Sequence, residues 1–147
     1  MIDDKTLEEF IAKQSITELI NNYLMCVDEK NLNAKDICRF FSDKVSVKLP
    51  FAKHVRDLKD VPETHKIRLT QFDLIHHIPS GLVIRFNSSC EAEVKCYLHV
   101  MYKEKSTPKI LISIEVLNCT VRRSEDRNND WRISGLEVKT VFSQETQ

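Results

Sequence analysis

Residues 90–123, CEAEVKCYLHVMYKEKSTPKILISIEVLNCTVRR, decide the fold class of this chain. They contain two strand-like runs, about 90–103 and 109–123, separated by a Ser-Thr-Pro segment at residues 106–108. Serine, threonine and proline are common in turns, and a connection this short returns the chain beside itself. The two runs are therefore predicted to pair as neighbouring antiparallel strands.

Further strand-like runs lie on both sides of this pair. One covers about 72–86 and is interrupted by Pro-Ser-Gly at residues 79–81, and another covers about 131–142. Earlier in the chain, residues 45–49, VSVKL, alternate apolar and polar side chains, which is typical of a half-buried strand. Consecutive strands joined by short turns indicate an antiparallel meander.

The first third of the chain has helical periodicity. Its apolar residues recur at three- and four-residue spacing, as on one stripe of a helix: Leu7, Phe10, Ile11, Ile16, Leu19, Ile20, Tyr23, Leu24 and Val27. Ser15 and Glu18 form a capping-box pattern, which predicts a restart or kink of this helix. Short helices are predicted at about 34–41 and from Pro62 onward.

Because the helices precede the sheet, the predicted fold class is α+β, with one curved antiparallel sheet and the helices packed on one face. The length of 147 residues suits one domain, residues 1–147. Lys plus Arg and Asp plus Glu both number 22, so the formal net charge is zero and binding to nucleic acid or to a membrane surface is not expected.

The sequence has no long apolar segment and no secretion signal pattern. Residues 1–10, MIDDKTLEEF, are acidic, and no apolar stretch approaches ~20 residues, so a cytoplasmic location is expected. The five cysteines are odd in number and none forms a C-x-x-C pair, so neither a disulfide framework nor a metal site is predicted.

Three segments together carry a resemblance to a known family. They are residues 16–28, ITELINNYLMCVD, residues 39–47, RFFSDKVSV, and residues 129–142, NDWRISGLEVKTVF. Their order and spacing resemble the SnoaL-like branch of the nuclear transport factor 2-like superfamily, which includes scytalone dehydratases and ketosteroid isomerases. The resemblance implies a cone in which a strongly bent sheet wraps the long helix and leaves a deep, mostly apolar pocket. It also implies homodimers that associate through their sheet faces.

The resemblance implies two alternative functions. In one, the apolar pocket binds a small hydrophobic or aromatic molecule and supports a lyase, isomerase or hydrolase reaction by acid-base chemistry, without a cofactor. In the other, the domain is a noncatalytic module for ligand binding, protein interaction or dimerisation. The two differ in whether Asp28, Tyr23 and His76 converge on one cavity, because acid-base transfer requires such groups within hydrogen-bond reach of the substrate.

Asp28 and the adjacent His76 and His77 are the leading candidates for such groups. The resemblance places an aspartate at the end of the long helix, where this chain has Asp28, with Tyr23 about one turn earlier on a comparable face. Neighbouring residues of a strand point to opposite faces, so only one of the two histidines enters the pocket. His76 is predicted to face the cavity with Asp28 as acid or base, and His77 to point away. If His76 lies on the outer face, or if the cavity is lined only by apolar groups, the catalytic interpretation fails and the noncatalytic module takes its place.

Other family positions carry apolar residues in this chain. The isomerase base is expected where Leu49 stands, and the dehydratase histidines are expected near Phe72 and Leu98. With Tyr23, these three residues are predicted to line the pocket. Two polar residues of an apolar strand, Glu115 and Asn118, are further pocket candidates, because a buried polar group without a partner is costly; glutamate is also common on exposed sheet faces.

Overall fold

The computed structural model describes residues 2–124 and 130–146. Three α-helices and seven β-strands are assigned within these residues, in the following bounds. The helices are α1 Asp4–Asp28, α2 Ala34–Ile37 and α3 Val61–Leu69, and short 3₁₀ turns at Cys38–Phe40 and Leu58–Asp60 follow α2 and precede α3. The strands are β1 Phe41–Lys48, β2 Val55–Asp57, β3 Phe72–Pro79, β4 Val83–Ser88, β5 Glu91–Glu104, β6 Ile110–Ser124 and β7 Asp130–Glu145. No helix in the described part of the chain is long and apolar enough to cross a membrane.

The strands form one mixed sheet. Their order is β2-β1-β7-β6-β5-β3, and β4 pairs with the first half of β5. The strand pairs among the described residues are antiparallel apart from β1 and β7, which run parallel. The predicted α+β fold with a curved sheet and a long N-terminal helix is confirmed, and the parallel pair is a feature that the meander pattern did not indicate. It arises because β1 comes before the meander in the chain and joins its far edge.

The core lies between the concave face of the sheet and the C-terminal half of α1. On β5 the side chains alternate strictly between buried and exposed from Ala92 to Tyr102, as the period of a strand requires. On α1 the buried side chains share one stripe: Ile16, Ile20, Tyr23, Leu24, Cys26 and Val27. The alternation of the strands therefore divides the sheet into an inner face against α1 and an outer face toward solvent.

Helix α1 is continuous. It begins after Asp3, whose carboxylate accepts a hydrogen bond from the Thr6 backbone N–H at 2.7 Å and caps the helix. The capping-box pattern at Ser15 predicted a restart or kink, and this prediction was wrong: Ser15 lies exposed inside the helix. Leu7 and Phe10, on the first turns of α1, are exposed, so the packed stripe starts only at Ile16.

The end of α1 is fixed against β3. After Asp28 the chain turns through Lys30, which has a positive φ of 60°, and the Lys30 backbone N–H donates to the Val27 carbonyl at 3.0 Å. The Lys30 ammonium group donates a hydrogen bond to the backbone carbonyl of Phe72, the first residue of β3. The last turn of the helix is therefore held beside the first residues of this strand.

One irregularity in β3 determines which of its side chains face inward. Phe72 is paired with Glu104 of β5, and Leu74 is paired with Lys103, so two steps along β3 match one step along β5. The extra residue is a β-bulge, which reverses the alternation of inward and outward side chains beyond it. Phe72 faces inward before the bulge, and Ile75 and His77 face inward after it.

A matched pair of substitutions on α1 tests how the core is placed. Ile20 is fully buried and Ile11 is 56% exposed on the same helix. Ile20→Ala should lower the free energy of unfolding by about 2–5 kcal/mol through lost burial and the cavity left behind. Ile11→Ala should change it by about 0.5 kcal/mol or less. Urea unfolding followed by circular dichroism measures both, and equal effects would contradict the packed stripe described above.

Candidate functional site

A histidine and an aspartate form a close pair at the edge of the sheet. The His77 imidazole Nδ1 lies 2.5 Å from Asp28 Oδ1, and the His77 backbone N–H donates to Asp28 Oδ2 at 3.0 Å. Strand β3 is an edge strand, and its outward backbone N–H groups have no partner strand. The Asp28 carboxylate, at the end of α1, therefore lies beside the edge strand and binds both the backbone N–H and the imidazole of His77.

The orientation predicted for the two histidines was wrong. The His77 side chain is 4% exposed and paired with Asp28, whereas the His76 side chain is 59% exposed. His76 Nδ1 lies 3.9 Å from Asp28 Oδ2, beside the pair but outside the interior. The physical reason is the bulge in β3, because strict alternation from the buried Phe72 would turn residue 76 inward, whereas the extra residue turns His77 inward instead.

The Asp28 carboxylate fixes the tautomer of His77. A carboxylate oxygen only accepts hydrogen bonds, so Nδ1 of His77 carries a proton. In the described residues, Nε2 makes no hydrogen bond. A carboxylate at the negative end of a helix is disfavoured by the helix dipole, and the two N–H groups of His77 compensate for this. The pair thus holds the imidazole ring in one orientation in a buried setting.

A second buried polar cluster lies on the inner face of β5 and β6. Glu115 of β6 accepts hydrogen bonds from Arg68 of α3 at 3.3 Å, from the Tyr102 hydroxyl of β5 at 2.7 Å and from the Ser113 hydroxyl at 3.2 Å. Arg68 also donates to the Tyr102 hydroxyl oxygen. The side chains of Arg68 and Glu115 are only 7% and 2% exposed. Burial of an ion pair is costly unless its partners are satisfied, and the two hydroxyl groups supply that compensation.

The Tyr102 side chain contacts both His77 of the histidine–aspartate pair and Glu115 of the second cluster. Its ring meets the His77 ring edge-on, with centroids 6.5 Å apart, and stacks at a tilt on Phe72 with centroids 4.7 Å apart. Burial raises the pKa of the Tyr102 hydroxyl above its usual range, so this group stays a protonated donor. Tyr102, Arg68 and Glu115 also line a cavity of about 390 Å³ whose wall includes Phe72 and the exposed Phe51.

Tyr23 belongs to a separate buried pair. Its hydroxyl lies 2.7 Å from His65 Nε2, and His65 Nδ1 lies 2.7 Å from the Val61 backbone carbonyl. A carbonyl only accepts, so Nδ1 carries the proton and Tyr23 donates to Nε2. His65 lies buried on α3. Burial lowers the pKa of His65 to about 4, so this histidine is neutral at pH 7.

The other predicted pocket residues are divided between three places. Phe72 and Glu115 line the cavity, as expected for pocket residues. Leu49 and Leu98 are buried in the core. Asn118 lies on the outer face in an open groove with Lys48 and His54, because its position on β6 is offset from Glu115 by an odd number of residues. Glu115 and Asn118 therefore do not line the same pocket.

Several polar residues of the interior were not among the predicted site residues, including His77, Arg68, His65 and Tyr102. A signal for two of them was present in the sequence. The buried positions of α3 recur at the spacing of one helix face. They are residues 61, 62, 64, 65, 68 and 69. Polar side chains at such positions must find buried partners, but the sequence does not say which ones. Among residues 2–124 and 130–146, no group of three or more histidine, cysteine or acidic side chains could hold a metal ion.

The His65 pKa predicts a pH dependence of stability. An unfolded histidine takes up its proton near pH 6.5, whereas folded His65 resists protonation down to about pH 4. Between these values the unfolded state binds more protons, so stability falls as the pH falls, by up to about 3 kcal/mol in total from this group. His65→Gln, which keeps a partner for Tyr23, should reduce the slope of unfolding free energy against pH in this window. Identical slopes in urea unfolding of the two proteins would contradict the buried neutral histidine.

The fold is shared with several solved structures. A proposed scytalone dehydratase from Novosphingobium aromaticivorans superposes with a TM-score of 0.83 at 16% identity, over 97% of this chain and 92% of that chain. A hexachlorocyclohexane dehydrochlorinase from Novosphingobium barchaimii gives 0.80 at 12% identity, over 95% and 93%. A proposed dehydratase of the nuclear transport factor 2-like family from Streptomyces avermitilis gives 0.71 at 11% identity, over 88% and 95%. At these identities the likeness shows the fold alone.

Comparison with curated protein sequences gave no match. The sequence pattern of the SnoaL-like domain, in contrast, matches residues 8–137, which include most of α1, the His77–Asp28 pair and Glu115. This match extends over most of the chain and agrees with the fold of the solved structures. The protein therefore belongs to the SnoaL-like domain family.

Proposed function

We propose that this domain binds a small hydrophobic molecule and transfers a proton at one of its carbon atoms, as a lyase or isomerase, with His77 as the base. The observation that carries the proposal is the 2.5 Å contact between His77 Nδ1 and Asp28 Oδ1, which orients a buried imidazole whose Nε2 has no hydrogen-bond partner among the described residues. The outward position of His76 removes the catalytic role predicted for it and, by that criterion, favours the noncatalytic module. The pairing of His77 with Asp28 supports catalysis with a different base, because it orients an imidazole for acid-base transfer.

The proposed step is a proton transfer from carbon. Nε2 of His77 takes the proton of a C–H bond, and the electron pair of that bond forms a new double bond to the neighbouring carbon. In a lyase reaction a leaving group departs from that neighbour with the electrons of its own bond. In an isomerase reaction the neighbouring carbon already carries a double bond, whose π electrons move to the carbon beyond it and there take the proton back from the imidazolium. Asp28 holds the ring and stabilises the imidazolium formed during the transfer.

The names of the structural neighbours agree with this reaction type. A dehydratase removes water and a dehydrochlorinase removes hydrogen chloride, and both names describe an elimination that forms a double bond. The apolar part of the cavity wall, with Phe51, Phe72 and Leu111, suits a hydrophobic substrate. The buried ring of His77 is also shielded from bulk water, which strengthens its interaction with Asp28.

Substitutions at the two histidines test the catalytic proposal. The assays are chloride release from hexachlorocyclohexane and deuterium uptake from D₂O by a panel of hydrophobic ketones, followed by mass spectrometry. His77→Ala and Asp28→Asn should lower any rate found by about a hundredfold or more, because one loses the base and the other its orientation. His76→Ala is the matched control, and its rate should stay close to that of the unchanged protein.

Two results would contradict the proposal. A rate that survives in His77→Ala shows that another group takes the proton. No turnover of any probe, together with a hydrophobic molecule copurifying with the protein in its mass spectrum, identifies the domain as the noncatalytic binding module.

We also propose that the domain forms a homodimer through the outer face of the sheet. This face carries exposed apolar side chains that pair across neighbouring strands, such as Met101 of β5 and Ile112 of β6. Further exposed members of this outer-face patch are Leu74, Ile78, Tyr97 and Phe142. A contiguous apolar patch on a sheet face is typical of a protein interface, and a second copy of the chain offers a surface of matching character.

Light scattering tests the dimer. The unchanged protein should give twice the monomer mass of 17.2 kDa at micromolar concentration. The double change Met101→Lys and Ile112→Lys should give the monomer mass, because charges at the centre of an apolar interface are not solvated there. Ile67→Lys, on an exposed position of α3 away from the sheet, is the control and should remain dimeric. A monomeric unchanged protein would refute the proposal.

A further inference from the structure

The outer face of the sheet carries a hydroxyl group and an imidazole in close contact, away from the interior groups described above. Ser46 Oγ lies 2.6 Å from His54 Nε2, and both residues are exposed. We propose that this pair forms a second catalytic site, in which Ser46 is a nucleophile activated by His54 and hydrolyses small polar esters. This site does not involve His77 and goes beyond the function proposed for the interior.

The pairing of β1 with β2 brings the two side chains together. Val47 pairs with Val55 in this antiparallel ladder, and Val47 is fully buried. Neighbouring residues of a strand point to opposite faces, so Ser46 and His54, each one position away from the Val47–Val55 pair, both point outward. They lie diagonally across the two strands, a separation that a long side chain spans. The strand register therefore holds the imidazole beside the hydroxyl.

The space in front of the pair is a groove with a gap in its floor. Ser46 and His54 line this outer-face groove, whose volume is about 300 Å³. Ser46 lies opposite Gly135 of β7 in the parallel ladder, and Gly135 also lines the groove. A Cβ atom at position 135 would lie 3.4 Å from the Thr120 hydroxyl oxygen. The missing side chain of Gly135 therefore leaves room for an ester group beside the Ser46 hydroxyl.

The contact between Ser46 and His54 is the one that nucleophilic catalysis by serine requires. A serine hydroxyl is a weak nucleophile until a neighbouring base takes its proton. In the imidazole tautomer with its proton on Nδ1, Nε2 of His54 accepts a hydrogen bond from the Ser46 hydroxyl. Ser46 Oγ then bonds to the carbonyl carbon of the ester while its proton moves to Nε2. The bond from this carbon to the leaving oxygen breaks, and that oxygen takes the proton from the imidazolium.

A water molecule completes the cycle. His54 takes a proton from the water, whose oxygen bonds to the acyl carbon. The bond from this carbon to Ser46 Oγ breaks, and the imidazolium returns the proton to Ser46. Negative charge develops on the carbonyl oxygen in both halves of the reaction. Lys48 and Asn118 line the same groove and carry N–H donors that stabilise such a charge.

The lining of the outer-face groove favours small polar esters. Charged side chains line it at Lys48, Glu93 and Glu137, and neutral polar ones at Asn118 and Thr120. A long alkyl chain would bury little apolar surface against these groups, so it would gain little binding energy. The matching substrate is a short-chain ester, in contrast to the hydrophobic molecule proposed for the interior.

A serine-directed probe tests the activation of Ser46. In its reaction with diisopropyl fluorophosphate, the serine oxygen bonds to phosphorus, fluoride leaves and the base takes the serine proton. We expect one diisopropylphosphoryl group per chain, located at Ser46 by peptide mass spectrometry. His54→Gln should lower the labelling rate by about a hundredfold, because it removes the base. No label, a label at a different residue, or an equal rate in His54→Gln would each overturn the proposal.

Ser42→Ala is the matched control for this labelling. Ser42 lies on the same strand as Ser46, and its hydroxyl donates to the Ile133 carbonyl instead of contacting a histidine. The rate of labelling at Ser46 should therefore be unchanged in Ser42→Ala. A rate that falls as far as in His54→Gln would show that the loss does not report the base, and would overturn the assignment of His54.

Ester hydrolysis tests turnover and the substrate class. The unchanged protein should release p-nitrophenolate from p-nitrophenyl acetate continuously, and Ser46→Ala should lower this rate by about a hundredfold or more. p-Nitrophenyl octanoate should give a kcat/KM no higher than that of the acetate. Release that stops after one equivalent, or that survives in Ser46→Ala, would overturn the hydrolase. A higher kcat/KM for the octanoate would overturn the substrate class.

A change at Gly135 tests whether the ester occupies the groove. Gly135→Val fills the space opposite Ser46 and leaves both catalytic side chains in place, and valine is favoured in strands. Hydrolysis of the acetate should fall by about tenfold or more, because the ester is displaced from Ser46. Circular dichroism reports whether the variant is folded. An unchanged rate in the folded variant would overturn the groove as the binding site.

Discussion

The carboxylate of Asp28 is the contact on which the geometry of this domain depends. It comes from the last residue of α1 and binds the backbone and the imidazole of His77 on the edge strand β3. Because the edge strand has no further strand beside it, its free N–H group is available to the helix end. One side chain thus joins the long helix to the sheet and gives His77 a single tautomer. The same interaction serves the fold and the proposed chemistry.

The polar side chains in the interior of the domain are grouped in a few buried clusters. Helix α3 contributes both His65 and Arg68 from one face, the first to Tyr23 of α1 and the second to Glu115 of β6. His65, Arg68 and Glu115 each have a partner of matching donor or acceptor character, which is the condition under which such groups are tolerated. The Tyr23–His65 pair connects helix to helix. The Arg68 cluster differs because Arg68, Tyr102 and Glu115 also line a cavity.

Strands β5 and β6 contribute side chains to both the inner and the outer face of the sheet. Alternation along β5 and β6 places Tyr102, Ser113 and Glu115 on the inner face and Tyr97, Met101 and Ile112 on the outer face. A change in register by one residue would exchange the two sets, so the pocket and the apolar patch are fixed by the same pairing. The bulge in β3 is a local example of this coupling, since one extra residue moves His77 inward and His76 outward. The residues that line the pocket and those that form the outer-face patch therefore depend on the same strand register.

The sequence by itself determined the class of the fold. Helical and alternating periods, read over ten or more residues, gave the long helix and most of the strands, because these features depend on neighbouring residues. The candidate Asp28 came from the family resemblance. Only the tertiary structure decided that His77 faces inward, that Arg68 meets Glu115 across 47 positions of the chain, that Asn118 lies outside, and that β1 runs parallel to β7. These depend on a bulge and on contacts between distant segments. A local period reports whether a side chain is buried but not which distant group it meets.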